Sequence, residues 1–162
     1  MKILYRNLGN GRFQDISERG GPGLLLNRCS RGAAFGDVFR TGQIDVVVNN
    51  INDIPHLLRN RSPSSNSWLL IKLIGTHTNR AAIGSRVIVE AGAHRQIQEV
   101  RSGGSFCSQN DLRLHFGLGK AREATRVEVK WLGGAPEVLE RVPANRLVSI
   151  QEGRGIISLE SF

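Results

Sequence analysis

The apolar residues of this 162-residue chain fall in short runs bounded by Gly, Asn, Asp or Pro, and no long window keeps a helical period. A chain divided in this way builds short strands joined by turns, not helices of three or four turns. Nineteen glycines beside a single methionine and a single tyrosine agree with that reading, because Gly supplies the turn conformations that link strands. The pattern predicts an all-β chain with strands at 3–7, 12–16, 44–48, 56–59, 68–74, 86–91, 95–100, 112–117, 125–131, 138–141 and 147–151. One helical turn is predicted at 120–126. Gly9-Asn10-Gly11 between the first two strands supplies the positive φ angles of a tight hairpin.

Hydrophobic residues at 40% and charged residues at 22% are globular values and exclude a disordered chain. The length allows one ordinary domain or two small ones. A formal charge of +8 raises the question of a polyanionic partner, and clustering is the test. Residues 1–66 hold nine basic and five acidic residues, and residues 67–162 hold thirteen and nine, so each part carries +4. The densest basic run, Lys120, Arg122, Arg126 and Lys130, is interrupted by Glu123 and Glu128, with few aromatic residues for base stacking. No specific nucleic-acid partner is expected. No apolar run is long enough for a signal peptide or a membrane span, so membrane insertion is not expected either. Cys29 and Cys107 are too few for a zinc site; Cys107, between Phe106 and Ser108, reads as a buried small apolar side chain, and a Cys29–Cys107 disulfide stays open.

Leu4-Tyr5-Arg6-Asn7 returns as Leu57-Leu58-Arg59-Asn60, an offset of 53 residues and a period of the kind found in propellers. The polar stretch Arg61-Ser62-Pro63-Ser64-Ser65-Asn66-Ser67 then separates two strand patterns. The expected organisation is a first unit at 1–60, a linker at 61–67 and a second unit at 68–162. Between the repeats runs Gly32-Ala33-Ala34-Phe35-Gly36-Asp37-Val38-Phe39-Arg40-Thr41-Gly42-Gln43-Ile44-Asp45-Val46-Val47-Val48. It resembles the FG-GAP (VCBS) blade of integrin-like β-propellers, where a D-x-D-x-D-G-x-x-D loop gathers carboxylates around Ca²⁺. Calcium needs six to eight oxygens at about 2.3–2.6 Å, and the Gly permits the sharp turn. Asp37, Gly42 and Asp45 stand where the pattern wants them, but Phe39 and Thr41 replace the second and third carboxylates. Asp37 and Asp45 therefore make at best a weak, degenerate Ca²⁺ site, and no other cofactor is expected. A full propeller has four to eight blades, and about one and a half are present here.

The second unit contains Asn79-Arg80-Ala81-Ala82-Ile83-Gly84-Ser85-Arg86-Val87, Arg101-Ser102-Gly103-Gly104-Ser105-Phe106, Ser108-Gln109-Asn110-Asp111, Leu114-His115-Phe116-Gly117-Leu118-Gly119 and Val127-Glu128-Val129-Lys130-Trp131. In that order the pieces resemble the ASPIC/UnbV domain over residues 79–151. That domain follows FG-GAP repeats in cartilage acidic protein and in many bacterial secreted proteins. Trp131-Leu132-Gly133-Gly134 departs from the family's usual Trp-Pro turn. The resemblance implies a small antiparallel, sandwich-like β domain in an extracellular or periplasmic protein.

Val87, Val89, Val127, Val129 and Trp131 alternate as half-buried strands should. Asn79, Arg80, Arg101, Ser108, Gln109, Asn110 and Asp111 are the polar candidates for a binding surface, with satisfaction of loop backbone as their other role. Asp111 and His115 lie four apart with no serine elbow or second carboxylate in a recognisable setting, and Gly117-Leu118-Gly119-Lys120 lacks the first Gly and the Ser/Thr of a phosphate loop. The expectation is a non-enzymatic adhesion or binding module that presents loops to a protein partner. A carbohydrate-binding module and an accessory protein of a biosynthetic pathway are the alternatives.

Overall fold

A computed structural model describes residues 2–162 as nearly all β. The strands are β1 (Tyr5–Asn7), β2 (Phe13–Asp15), β3 (Ser30–Gly36), β4 (Asp45–Asn50), β5 (Asp53–Leu58), β6 (Ser67–Ile74), β7 (Arg86–Ala91), β8 (His94–Glu99), β9 (Leu114–Gly119), β10 (Glu123–Lys130), β11 (Glu137–Pro143), β12 (Arg146–Gln151) and β13 (Gly155–Glu160). A 3₁₀ turn at Ser17–Arg19 and a single α turn at Pro22–Leu25 link β2 to β3. Among the described residues no helix is long and apolar enough to cross a membrane.

The second half is a sandwich of two four-stranded sheets, ordered β11-β10-β7-β8 and β13-β12-β6-β9. Period-two alternation explains it. Leu69, Ile71 and Leu73 of β6, Val148 and Ile150 of β12, and Leu114, Phe116 and Leu118 of β9 point inward from one sheet. Val87 and Val89 of β7 and Val127 and Val129 of β10 meet them from the other. All pairings are antiparallel except β6 with β12, which run parallel from Leu69↔Arg146 to Ile74↔Gln151. Asn145, at φ 57°, starts that pairing: its N–H donates to the Trp68 carbonyl and its side chain accepts the Trp68 N–H.

Neither sheet closes into a barrel, yet side chains bridge both open seams. On one side Gln96 and Gln98 of β8 donate to the Gly117 and His115 carbonyls of β9, each at 2.6 Å. On the other, Glu137 of β11 accepts from the Trp131 indole and from the Gly153 N–H beside β13. The β9 edge, which would otherwise template further pairing, is thereby partly occupied.

The first half holds the hairpin β1-β2, turned by Gly9 and Gly11 at φ 81° and 76° as expected, and a three-stranded sheet ordered β3-β4-β5. Strand β3 was not expected, because Gly32-Ala33-Ala34 carries little hydrophobic signal. Its small residues answer a close approach: a Cβ at Gly32 would collide with the Ser108 side chain, and one at Gly36 would sit 3.0 Å from Asp111 Cβ. Strand β13 was also unexpected. The helical turn predicted at 120–126 is absent; Ala121 closes a turn onto Leu118, and β10 begins at Glu123, paired with Pro143. Cys107 is exposed at φ 46°, contrary to its expected burial, because the turn joining Ser105 to Ser108 carries it on the surface.

Candidate functional site

The loop joining β3 to β4 is held by its own two acids. Asp37 accepts the N–H groups of Thr41 and Gly42 at 2.9 and 2.7 Å, and Asp45 accepts those of Val38 and Asn60 at 3.1 and 2.8 Å. Both carboxylates are buried. Four carboxylate oxygens thus satisfy four backbone donors, which is what a tight polar loop needs when it is shielded from water. Phe39, in the place of a second carboxylate, turns its ring under the Arg59 guanidinium, 4.2 Å from its centroid. Arg113 donates to the Asp37 carbonyl at 3.4 Å, so the loop already has cationic neighbours. This donor set does not fit a Ca²⁺ shell of six to eight oxygens. Among the described residues no group of three or more His, Cys, Asp or Glu lies together as metal ligands would.

The same loop docks on the outer face of the β6–β9 pair. Gly42, at φ 77°, lies so close to Trp68 that a Cβ there would overlap the indole. His115 Nε2 lies 2.7 Å from the Gly42 carbonyl, and since that oxygen can only accept, Nε2 carries the proton. Trp68 stacks on His115 and on Phe162, with centroids 6.3 and 5.6 Å apart, and Arg40 of the loop lies over the Phe162 ring. A second line of contact runs along β3. The Asp111 N–H donates to the Phe35 carbonyl at 2.9 Å, and Asn110 Oδ1 accepts the Phe35 N–H at 3.1 Å.

The polar candidates divide by what they touch. Asn79 both donates to and accepts from the Ile83 backbone, shaping its own loop. Gln109 accepts from Gly103 and Ser102 and donates to Arg101 and Asn110, so it knits the segment that lies along β3. Ser108 donates to the Phe106 carbonyl. Arg101 extends to Glu99 at 3.5 Å from an exposed position. Asp111 pairs with Arg113, whose affinity for its proton rises chiefly through that bond. Asn110 and Asp111 thus meet Phe35 and Gly36 of β3, just before the Asp37 loop, across the junction of the two halves. Arg80 lies on the rim of a cleft that Asp111 also lines.

Sequence reasoning missed Glu152. Its carboxylate is buried and accepts the three consecutive N–H groups of Thr76, His77 and Thr78, each at 2.9 Å, together with the Thr78 hydroxyl. The Thr78 N–H does most to hold the acid down, at about 2 against a usual 4.5, with Thr76 and His77 adding to it and burial opposing. The available signal was a lone acid ending the apolar run Leu147-Val148-Ser149-Ile150 just before Gly153.

The family model described as ASPIC and UnbV matches residues 75–157, or 83 of the 162 residues. No curated protein matches the chain.

Proposed function

The chain belongs to the ASPIC and UnbV family, and from that premise we propose that it is a non-enzymatic, extracytoplasmic binding module whose first half is a piece of an FG-GAP-type propeller. The carrying observation is a complementary incompleteness. By the 53-residue repeat, β1 corresponds to residues 58–60, which begin at Leu58, the last residue of β5. Among the described residues β5 pairs with β4 and with no strand standing for β2, whereas β1 pairs with β2 and with none standing for β4. Each piece lacks the strands that the other keeps, as expected of parts of two successive blades.

Surface chemistry supports the same reading. Of the large apolar side chains that are exposed among the described residues, fourteen lie before Asn60 and seven after it, although the first stretch is the shorter. Such a surface suits coverage by further protein. His115 is engaged with the Gly42 carbonyl, which supports a structural and not a catalytic role for that side chain. The even spread of basic charge argues against a specific nucleic-acid partner, so the proposed partner is a protein, met through the loops and the uncovered first half. The family resemblance supports an extracellular or periplasmic site of action. The loop around Asp37 and Asp45 is proposed to work as a metal-free docking element.

Hydrogen exchange tests this on the chain alone and on the whole reading frame from which it comes. The amides of Tyr5–Asn7 and Asp53–Leu58 should exchange quickly in the 162-residue chain and gain protection in the longer protein. Equal exchange in the two, or no further blade pattern in that reading frame, would overturn the propeller reading.

A further inference from the structure

A cleft of about 620 Å³ opens on the outer face of the β6–β12 pair, between the Arg80 loop and the docked Asp37–Asp45 loop. Its charged lining is Arg40, Lys72, Arg80 and Arg113 against Asp111 and Glu160, four positive charges against two negative. These cations are not equivalent. Arg113 bonds Asp111 through both Nε, at 2.7 Å, and Nη2, at 2.5 Å, and Arg40 is laid over the Phe162 ring. Lys72 and Arg80 have no carboxylate partner among the described residues.

Two unpaired cations of different geometry therefore face one concave space, with the Ser149 hydroxyl on its wall and Leu112 and Leu147 as apolar surface. Asp111 is tied to Arg113 and Glu160 accepts from Ser158, neither reaching Arg80 or Lys72 within ion-pair distance, and the enclosure strengthens the attraction of those two cations for an anion relative to open surface. The volume matches a small organic molecule and falls short of what a duplex or a long chain would fill.

We propose that this cleft binds a small organic molecule bearing one oxyanion group, a carboxylate, sulfate or phosphate, through Arg80 and Lys72. Arg80 takes two oxygens with its planar fork, and Lys72 supplies a point charge from the sheet. The apolar wall and Ser149 receive the rest of the molecule.

The test is NMR titration of the full chain with four probes: sodium sulfate, inorganic phosphate, glucuronate and neutral glucose. Saturable shifts in the amides around Arg80 and Lys72 are expected with the anions and not with glucose, and the arm that saturates first identifies the oxyanion. Arg80→Gln with Lys72→Gln should weaken the best anion by about tenfold or more, and Arg80→Lys should recover part of the loss. Both side chains are exposed, so these changes leave the core intact; Arg126→Gln, on the opposite sheet, should bind as the wild type does. No saturation by about 10 mM of any anion, equal response to glucose, or unchanged binding by the double variant would overturn the proposal.

Discussion

The two halves of this molecule are built from the same kind of short strand and reach opposite outcomes. Among the described residues, those from Ser67 onward contribute twenty-one of the twenty-two buried apolar side chains, and those before it contribute only Val48. The sandwich needs two sheets facing each other to exclude water, and it has them. The first half has one sheet and a hairpin, so its apolar side chains have no facing layer. It is held instead by polar links to the sandwich: Phe35 to Asn110 and Asp111, His115 to Gly42, and Arg113 to Asp37. A β pattern in sequence therefore does not establish an autonomous unit; a second layer does.

Phe116→Ala gives the largest expected effect on that contrast. Phe116 is completely buried at the centre of the sandwich, and its truncation should cost about 3–5 kcal/mol, read as a loss of cooperative unfolding in denaturant. Limited proteolysis between Arg61 and Ser67 should leave a folded fragment of 67–162 from the wild type and none from the variant. If that fragment is molten in the wild type too, the two halves share one core after all.

Gly42→Ala comes next. The added methyl group meets Trp68 from a left-handed backbone position, at a cost of about 1–3 kcal/mol. The loss should fall on the docking: Trp fluorescence should change and the Ser30–Gly36 amides should exchange faster, while the sandwich still melts as one transition. Faster exchange throughout the sandwich would show instead that the halves unfold together.

Glu152→Gln should lower the melting temperature at neutral pH, because an amide oxygen accepts three N–H groups less strongly than a carboxylate. The folded acid is depressed to about 2 from 4.5, so its stabilisation is present above about pH 4.5 and is lost as the pH falls towards 2. The two melting curves should converge across that window. A gap that persists at pH 2 would assign the effect to packing.

The smallest effect is the restoration of the metal loop. Calorimetry should detect no Ca²⁺ binding to the wild type tighter than about 10⁻³ M, and Phe39→Asp with Thr41→Asp should create or strengthen a site. A micromolar wild-type site that needs Asp37 and Asp45 would contradict a metal-free docking role.

Pattern disclosed the sandwich strands well, because Val127 and Val129 alternate with Arg126, Glu128 and Lys130 over a buried face and β6 is an apolar run broken only by Lys72. It failed at β3, whose Gly and Ala residues are fixed by the segment lying on them and not by a hydrophobic face. It also failed at β13, whose residues are mostly half-buried or exposed at an edge. Candidate polar residues were legible as types, but their partners lie far along the chain. Asn110 meets Phe35, 75 residues away, and Glu152 meets Thr76, 76 away, and no local pattern encodes such pairs.

The parallel pairing of β6 with β12 sets when this protein can fold during synthesis. Leu69 must wait for Arg146, and Trp68 for Phe162, so the strand that begins the sandwich is completed only after both distant partners have been synthesised. Closing so long a loop precedes any gain from the contact, which makes the step slow. Until then β6, with Leu69, Leu70 and Ile71, is an apolar strand without cover in a nascent chain. Truncated transcripts or stalled translation should therefore yield an aggregating product, not a smaller folded one.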